Sequence, residues 1–121
     1  GKPWDADVKI TPLYEGDKKL KLMKSFVEDA ISKGARTLNR GAAEINDSIF
    51  TPAVIYPVSP EMRIYNEEQF GPIVPVATFK DISEVVNYVK NSPYKQQVSI
   101  FGEPSFELNT LARKFSLLVP R

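Results

Sequence analysis

The sequence predicts an α/β fold in which helices alternate with largely parallel strands in a three-layer-type arrangement. Short β-branched and aromatic runs alternate with amphipathic stretches of roughly 10–15 residues, which is the pattern of such folds. Glycines and prolines that favour turns separate these runs. The chain has 121 residues, one domain's worth of sequence, and its apolar fraction of 42% and charged fraction of 26% are typical of a globular protein.

The first helix is predicted from Asp17 to Lys33, after a loop-like segment over residues 1–17. Its apolar residues recur at spacings of three and four, which indicates one buried face. These residues are Leu20, Met23, Val27, Ala30 and Ile31. Gly34 follows where a residue in the left-handed conformation commonly ends a helix.

Two further helices and five strand candidates complete the predicted elements. A capping box predicts a helix that begins at Asp81, because Glu84 follows it at the required spacing. Its apolar stripe comprises Ile82, Val85, Val86 and Val89. The last helix has a stripe at Leu108, Leu111, Ala112 and Phe115. The strand candidates are Ala35–Leu38, Ile49–Pro57, Ile73–Phe79, Gln97–Phe101 and Ser116–Val119.

Composition excludes several classes of function for this chain. A net charge of +1 gives no field that favours nucleic acid or an anionic membrane. The longest apolar run is only a few residues, which argues against a membrane span. The chain has no cysteine and no histidine, so it offers no thiolate nucleophile, no imidazole proton shuttle and no typical zinc site.

The most informative segment is the run from Glu67 to Pro72, which reads Glu-Glu-Gln-Phe-Gly-Pro. The carboxylate of Glu68 can accept hydrogen bonds from vicinal hydroxyls such as those of a ribose. The ring of Phe70, two residues on, can lie against a flat heterocycle. From the residues alone, a solvated loop acid and a core phenylalanine remain open. Arg63 is predicted to form an ion pair rather than bind phosphate, and Glu67 to be a partner within the loop.

Six landmarks in this order resemble the aldehyde dehydrogenase superfamily. They are Asp5–Leu13, Lys33–Ala35, Thr51–Val54, Val58–Arg63, Glu67–Pro72 and Gln97–Phe101. The Ile-Thr-Pro-Leu sequence at residues 10–13 resembles the non-phosphorylating, NADP-dependent glyceraldehyde-3-phosphate dehydrogenase branch in particular. By this resemblance, residues 1–121 are part of a catalytic domain, in the segment after the nucleophile.

The resemblance also implies a division of roles. Glu68 would bind the nicotinamide ribose of NADP and Phe70 would flank the nicotinamide. The cysteine that forms the thiohemiacetal has no counterpart here, so the chain contributes no catalytic residue and should be inactive alone. The full-length parent would be a cytoplasmic oxidoreductase that converts glyceraldehyde 3-phosphate to 3-phosphoglycerate. Its partners would be the remainder of the enzyme, the aldehyde and further copies of itself, and neither nucleic acid nor a membrane.

Three alternatives remain open at this point. The parent could belong to another aldehyde dehydrogenase branch, because the residues that select the aldehyde and distinguish NAD from NADP lie outside this chain. The chain could instead be a standalone α/β binding module without catalysis. The terminal Leu-Val-Pro-Arg fits either a native strand start or a thrombin recognition sequence.

Overall fold

The computed structural model describes residues 4–10, 12–13 and 16–119 and forms two units, Gly1–Thr78 and Phe79–Arg121. Four helices and five strands occur in the described residues. In chain order they are α1 (Gly16–Ser32), β1 (Arg36–Thr37), β2 (Ile45–Asn46), β3 (Ile49–Phe50), β4 (Ala53–Tyr56), α2 (Arg63–Asn66), β5 (Ile73–Pro75), α3 (Ile82–Asn91) and α4 (Phe106–Leu118). Thr11 of the sequence landmarks and the terminal Pro120 and Arg121 lie outside the described residues.

Helix α1 supplies one side of the core of the first unit. Its buried residues are Leu20, Met23, Phe26, Val27 and Ala30. The predicted stripe is therefore confirmed except at Ile31, which is 49% exposed, while Phe26, which the prediction omitted, is buried. The helix ends as predicted, because Gly34 adopts a φ of 104° and the Ala35 amide donates to the Ala30 carbonyl at 2.9 Å.

A three-stranded sheet in the order β1-β4-β5 packs against this helix. Burial alternates along β4, where Ala53 and Ile55 are both fully buried, as expected for a strand with one face in the core. Strands β4 and β5 are parallel, with Ala53 opposite Ile73, whereas β1 pairs with β4 antiparallel. Strands β2 and β3 form a separate antiparallel pair.

The α/β class is thus confirmed, and the strand pairing is more mixed than predicted. Only β4 with β5 has the expected parallel pairing among the described strands. The Ile49–Pro57 candidate is two strands in different sheets, β3 and β4, with Pro52 between them. Proline has no amide hydrogen to donate to a ladder, which explains a break at this position.

The second unit contains α3 and α4, which pack on one another. The predicted capping box is confirmed: the Asp81 side chain accepts from the Ser83 amide at 2.7 Å, and Glu84 accepts from the Asp81 amide at 3.2 Å. Of its predicted stripe, Val89 is buried, whereas Ile82 is 44% exposed. In α4 the Ser105 hydroxyl accepts from the Leu108 amide, and Phe115 is buried.

Two strand predictions in this unit are wrong. Gln97–Phe101 forms no strand among the described residues, and Phe101 is 93% exposed. A strand needs a neighbouring backbone to pair with, and the described part of the chain supplies none here. Ser116–Leu118 belongs to α4 instead, because Leu111, Phe115 and Leu118 follow one another at helical spacing.

Candidate functional site

The segment Glu67–Pro72, called here the Glu67–Pro72 loop, connects α2 to β5 and is tied to the sheet. The Pro72 carbonyl accepts from the Ala53 amide at 3.0 Å, which joins the end of the loop to β4. The Gln69 side chain donates through Nε2 to the Ile73 carbonyl at 2.9 Å. These bonds hold the C-terminal half of the loop against the end of the sheet where β4 and β5 begin.

Gly71 lets this loop lie directly on α1. A Cβ placed on Gly71 would overlap Sδ of Met23 and lie 3.1 Å from its Cγ. Met23 is fully buried, so its side chain has no solvent to move into. Glycine is required here by this close approach, since its φ does not lie in the left-handed region.

Arg63 holds the N-terminal half of the loop. Its Nε lies 3.0 Å from Oε1 of Glu67, and its second terminal nitrogen lies 3.4 Å from Oε2. The guanidinium carbon lies 4.6 Å from the ring centroid of the buried Phe26, and Nη1 donates to the Ser25 hydroxyl at 3.3 Å. Hydrogen bonding to Glu67 raises the pKa of Arg63 above its usual value. The predicted ion pair of Arg63 is confirmed, with Glu67 as its partner.

Asp29 joins α1 to the start of α2. It accepts from the Arg63 amide at 2.9 Å and pairs with Lys33 at 2.7 Å, and Lys33 also donates to the Glu61 carbonyl at 2.9 Å. The hydrogen bond from Lys33, and next the one from the Arg63 amide, lower the pKa of Asp29 below its usual value. The carboxylate is therefore ionised at neutral pH and fixes α2 on α1.

Glu68 and Phe70, the two predicted site residues, lie on the exposed side of the loop. Glu68 is exposed, and within the described residues its carboxylate makes no hydrogen bond or ion pair. Phe70 is 76% exposed, and Nζ of Lys19 lies 6.0 Å from its ring centroid. The structure places an exposed carboxylate and an exposed aromatic ring two residues apart on a supported loop. Their assignment to a cofactor remains a prediction.

The arrangement suits a pyridine nucleotide in chemical terms. A carboxylate without a partner among the described residues can accept two hydrogen bonds from a ribose diol. An exposed ring can pack on a nicotinamide. The proximity of Lys19 to Phe70 was not predicted, because residues far apart in sequence gave no signal. The Arg63–Glu67 pair, by contrast, has the i, i+4 spacing of helical ion pairs and was accessible from sequence.

The described residues give no indication of a metal site or a membrane span. Within them, no three carboxylate, thiol or imidazole side chains lie close enough together to hold a metal ion. None of the four described helices combines the length and apolar character needed to cross a bilayer. The candidate site consists of the Glu67–Pro72 loop and its supports on α1 and α2.

Comparison with known proteins identifies the family. The sequence profile of the aldehyde dehydrogenase family matches residues 1–117. This chain belongs to the aldehyde dehydrogenase family. Members of this family are oxidoreductases that use NAD or NADP. The predicted superfamily is thereby confirmed over nearly the whole chain.

Individual relatives of this aldehyde dehydrogenase chain act on different aldehydes. Lactaldehyde dehydrogenase of Methanococcus maripaludis is 34% identical over 101 residues, which cover 84% of this chain and 21% of that protein. Succinate-semialdehyde dehydrogenase [NADP(+)] 2 of Schizosaccharomyces pombe is 36% identical over 95 residues, 76% of this chain and 19% of that protein. The chain thus spans about a fifth of the length of these curated relatives.

A solved structure of the same family shares this fold. The NADP-dependent glyceraldehyde-3-phosphate dehydrogenase of Bacillus halodurans, complexed with NADP, is similar with a TM-score of 0.83 at 28% identity. The similarity covers 95% of this chain and 23% of that one. The chain therefore has the fold of one segment of an aldehyde dehydrogenase.

Proposed function

We propose that this chain is part of the catalytic domain of a cytoplasmic, non-phosphorylating, NADP-dependent glyceraldehyde-3-phosphate dehydrogenase. The full-length enzyme would oxidise glyceraldehyde 3-phosphate to 3-phosphoglycerate with NADP and water. Family membership supports the reaction class, and the likeness to the Bacillus halodurans enzyme supports this branch. Its other partners would be the remainder of the enzyme and further copies of it in a homo-oligomer.

The observation that carries the proposal is the pairing of Glu68 and Phe70 on the Glu67–Pro72 loop. Glu68 is exposed without a partner among the described residues, and Phe70 presents 76% of its surface. In the proposed enzyme, Glu68 accepts hydrogen bonds from the nicotinamide ribose and so orients the cofactor. Phe70 limits the positions that the nicotinamide ring can occupy. Hydrogen bonds to an ionised acceptor are strong enough to orient a ligand.

The chemistry itself must come from outside this chain. NADP supplies the hydride acceptor when it is bound. The chain has no cysteine, so the nucleophile that attacks the aldehyde belongs to the remainder of the enzyme. Accordingly, the 121-residue chain by itself should reduce no NADP in the presence of an aldehyde.

The experiment that tests the cofactor contact replaces Glu68 by Gln in the full-length enzyme. The amide keeps the shape of the side chain but loses the charge and one acceptor, so kcat/KM for NADP should fall roughly 10- to 100-fold, as expected for loss of a hydrogen bond to a charged group. Glu107→Gln is the matched control for the charge change, because Glu107 is an exposed acid of α4 outside the Glu67–Pro72 loop and should leave the kinetics unchanged. Unchanged kinetics of Glu68→Gln would remove the cofactor contact from the proposal.

A second candidate is another aldehyde dehydrogenase branch. The observation that favours it is the 36% identity with an enzyme that acts on succinate semialdehyde. Comparing kcat/KM for glyceraldehyde 3-phosphate, succinate semialdehyde and lactaldehyde in the full-length enzyme decides between them. A preference for either of the last two rejects the proposed substrate and keeps the family chemistry. Failure to oxidise any aldehyde would favour a non-catalytic binding module.

A further inference from the structure

Glu67 and Glu68 are adjacent carboxylates with different surroundings. Glu67 accepts two hydrogen bonds from the Arg63 guanidinium, at 3.0 and 3.4 Å. Glu68 has no partner among the described residues. Without the arginine, either acid could turn toward a ligand that binds at the loop. Arg63 therefore distinguishes between two otherwise similar groups.

The backbone at Glu67 extends this distinction to Glu68. Glu67 has a φ of −99° and a ψ of 139°, which is an extended conformation. Successive side chains leave an extended backbone on opposite sides. Because Arg63 holds the Glu67 side chain on the α2 side, the next side chain, Glu68, is directed away from it. Fixing one acid thus sets the direction of the other.

Arg63 is itself held from three directions by α1. Its guanidinium lies over the ring of Phe26, which is 2% exposed, and donates to Ser25. Its amide donates to Asp29. An arginine placed in this way loses little freedom on pairing, because its planar fork is already oriented. The position of the Glu67 carboxylate is therefore fixed relative to the core.

We propose that Arg63 is a positioning residue: by holding Glu67 on α2, it directs the neighbouring Glu68 toward the pyridine nucleotide. It touches neither the aldehyde nor the cofactor. The effect of Arg63 on cofactor use rests on the proposed function of Glu68. Its effect on the order of the Glu67–Pro72 loop is independent of that function.

The structural test uses hydrogen exchange of backbone amides in the 121-residue chain. Arg63→Met retains a chain of similar length over Phe26 but removes both side-chain hydrogen bonds to Glu67. Exchange of the Glu67 amide, which donates to the Arg63 carbonyl at 2.9 Å, should therefore become faster, while exchange in α1 is unchanged. Arg63→Lys should restore protection only in part, because an ammonium group cannot donate as a planar fork. Arg36→Met is the control, since Arg36 lies over the Tyr56 ring at 5.8 Å and not at the loop.

Two results of this exchange experiment would overturn the proposal. One is unchanged exchange of the Glu67 amide in Arg63→Met. The other is faster exchange throughout β4 and α1, since that result indicates general loss of stability. If Arg63→Met does not fold, Glu67→Ala removes the same hydrogen bonds at the exposed partner and should give the same local effect.

The functional test measures kcat and KM for NADP in the full-length enzyme. Arg63→Met should lower kcat/KM for NADP about 10-fold, below the roughly 100-fold that a displacement of 1 Å can cost. The double variant Arg63→Met, Glu67→Ala should have a kcat/KM for NADP no lower than that of the poorer single variant, because both changes remove the same hydrogen bonds. Two results would overturn the positioning role: additive losses of kcat/KM in the double variant, or an unchanged kcat/KM in Arg63→Met when Glu68→Gln has a lowered one. If Glu68→Gln leaves the kinetics unchanged while Arg63→Met speeds amide exchange at Glu67, the proposed cofactor contact is rejected. The role of Arg63 in fixing the loop is then retained.

Discussion

Replacing Gly71 by Ala should destabilise the chain because of its contact with Met23. The new methyl group would overlap Sδ of Met23 and lie 3.3 Å from Oε1 of Gln69. Overpacking of this kind costs about 1–3 kcal/mol. With a urea dependence of about 1–3 kcal/mol per molar, the unfolding midpoint should fall by on the order of 1 M. Urea unfolding of the 121-residue chain, followed by far-UV circular dichroism, measures this change.

A double-mutant cycle identifies the cause of this loss. Met23→Ala removes the Cγ and Sδ atoms that the new methyl group meets, and on its own costs about 2–5 kcal/mol because it leaves a cavity. In the double variant, the loss in free energy of unfolding should be smaller than the sum of the two single losses by about 1–3 kcal/mol, because the overlap no longer exists. Gly34→Ala is the control: Gly34 has a φ of 104° and open space around it, so its cost is conformational and should add to that of Met23→Ala. The steric explanation would be refuted if the losses in free energy of unfolding for Gly71→Ala and Met23→Ala were additive, or if Gly71→Ala caused no loss.

Two further predictions concern hydrogen bonds made by side chains. Asn39 donates to the Pro52 carbonyl at 2.8 Å and accepts from the Val54 amide at 2.9 Å. Asn39→Ala should therefore lower the free energy of unfolding, measured in urea, by about 1–3 kcal/mol. Asn39→Asp should lower it less, because aspartate keeps the acceptor. Equal stability of all three proteins would contradict this. Hydrogen bonds from Ser83 lower the pKa of Asp81 in the folded chain. The ionised Asp81 cap therefore stabilises the folded chain fully above the unfolded-state pKa, and this stabilisation is lost as the pH falls through the lower folded-state pKa. Helicity measured below about pH 4 should therefore decrease more in the wild type than in Asp81→Asn, and parallel acid profiles would reject this role.

The helices were predictable where their signals are local. The spacing of Leu20, Met23 and Val27 defines the buried face of α1, and the Asp81 capping box marks the start of α3. Ile31 was assigned wrongly because the helical period alone does not decide where a buried stripe ends. Neighbouring elements decide that, and they place Ala30 in the core and leave Ile31 49% exposed.

The strands were less predictable because pairing is not local. Gln97–Phe101 has the residues of a strand, yet strand formation also requires a backbone partner, which the described residues do not supply. The apolar run at Ser116–Leu118 fits a strand and a helix equally well when read in isolation. Its continuation of the Leu111 and Phe115 spacing decides for the helix, a signal that becomes visible only when the whole of α4 is considered.

In the Glu67–Pro72 loop, residues that make supporting contacts alternate with exposed residues. Glu67 binds Arg63, Gln69 donates to the Ile73 carbonyl, and Gly71 lies on Met23. The intervening residues, Glu68 and Phe70, are exposed. The three supported positions thus alternate along the chain with the two exposed ones. The motif predicts the identity of the exposed pair, but only the contacts with α1, α2 and β5 explain why that pair, and not its neighbours, is exposed.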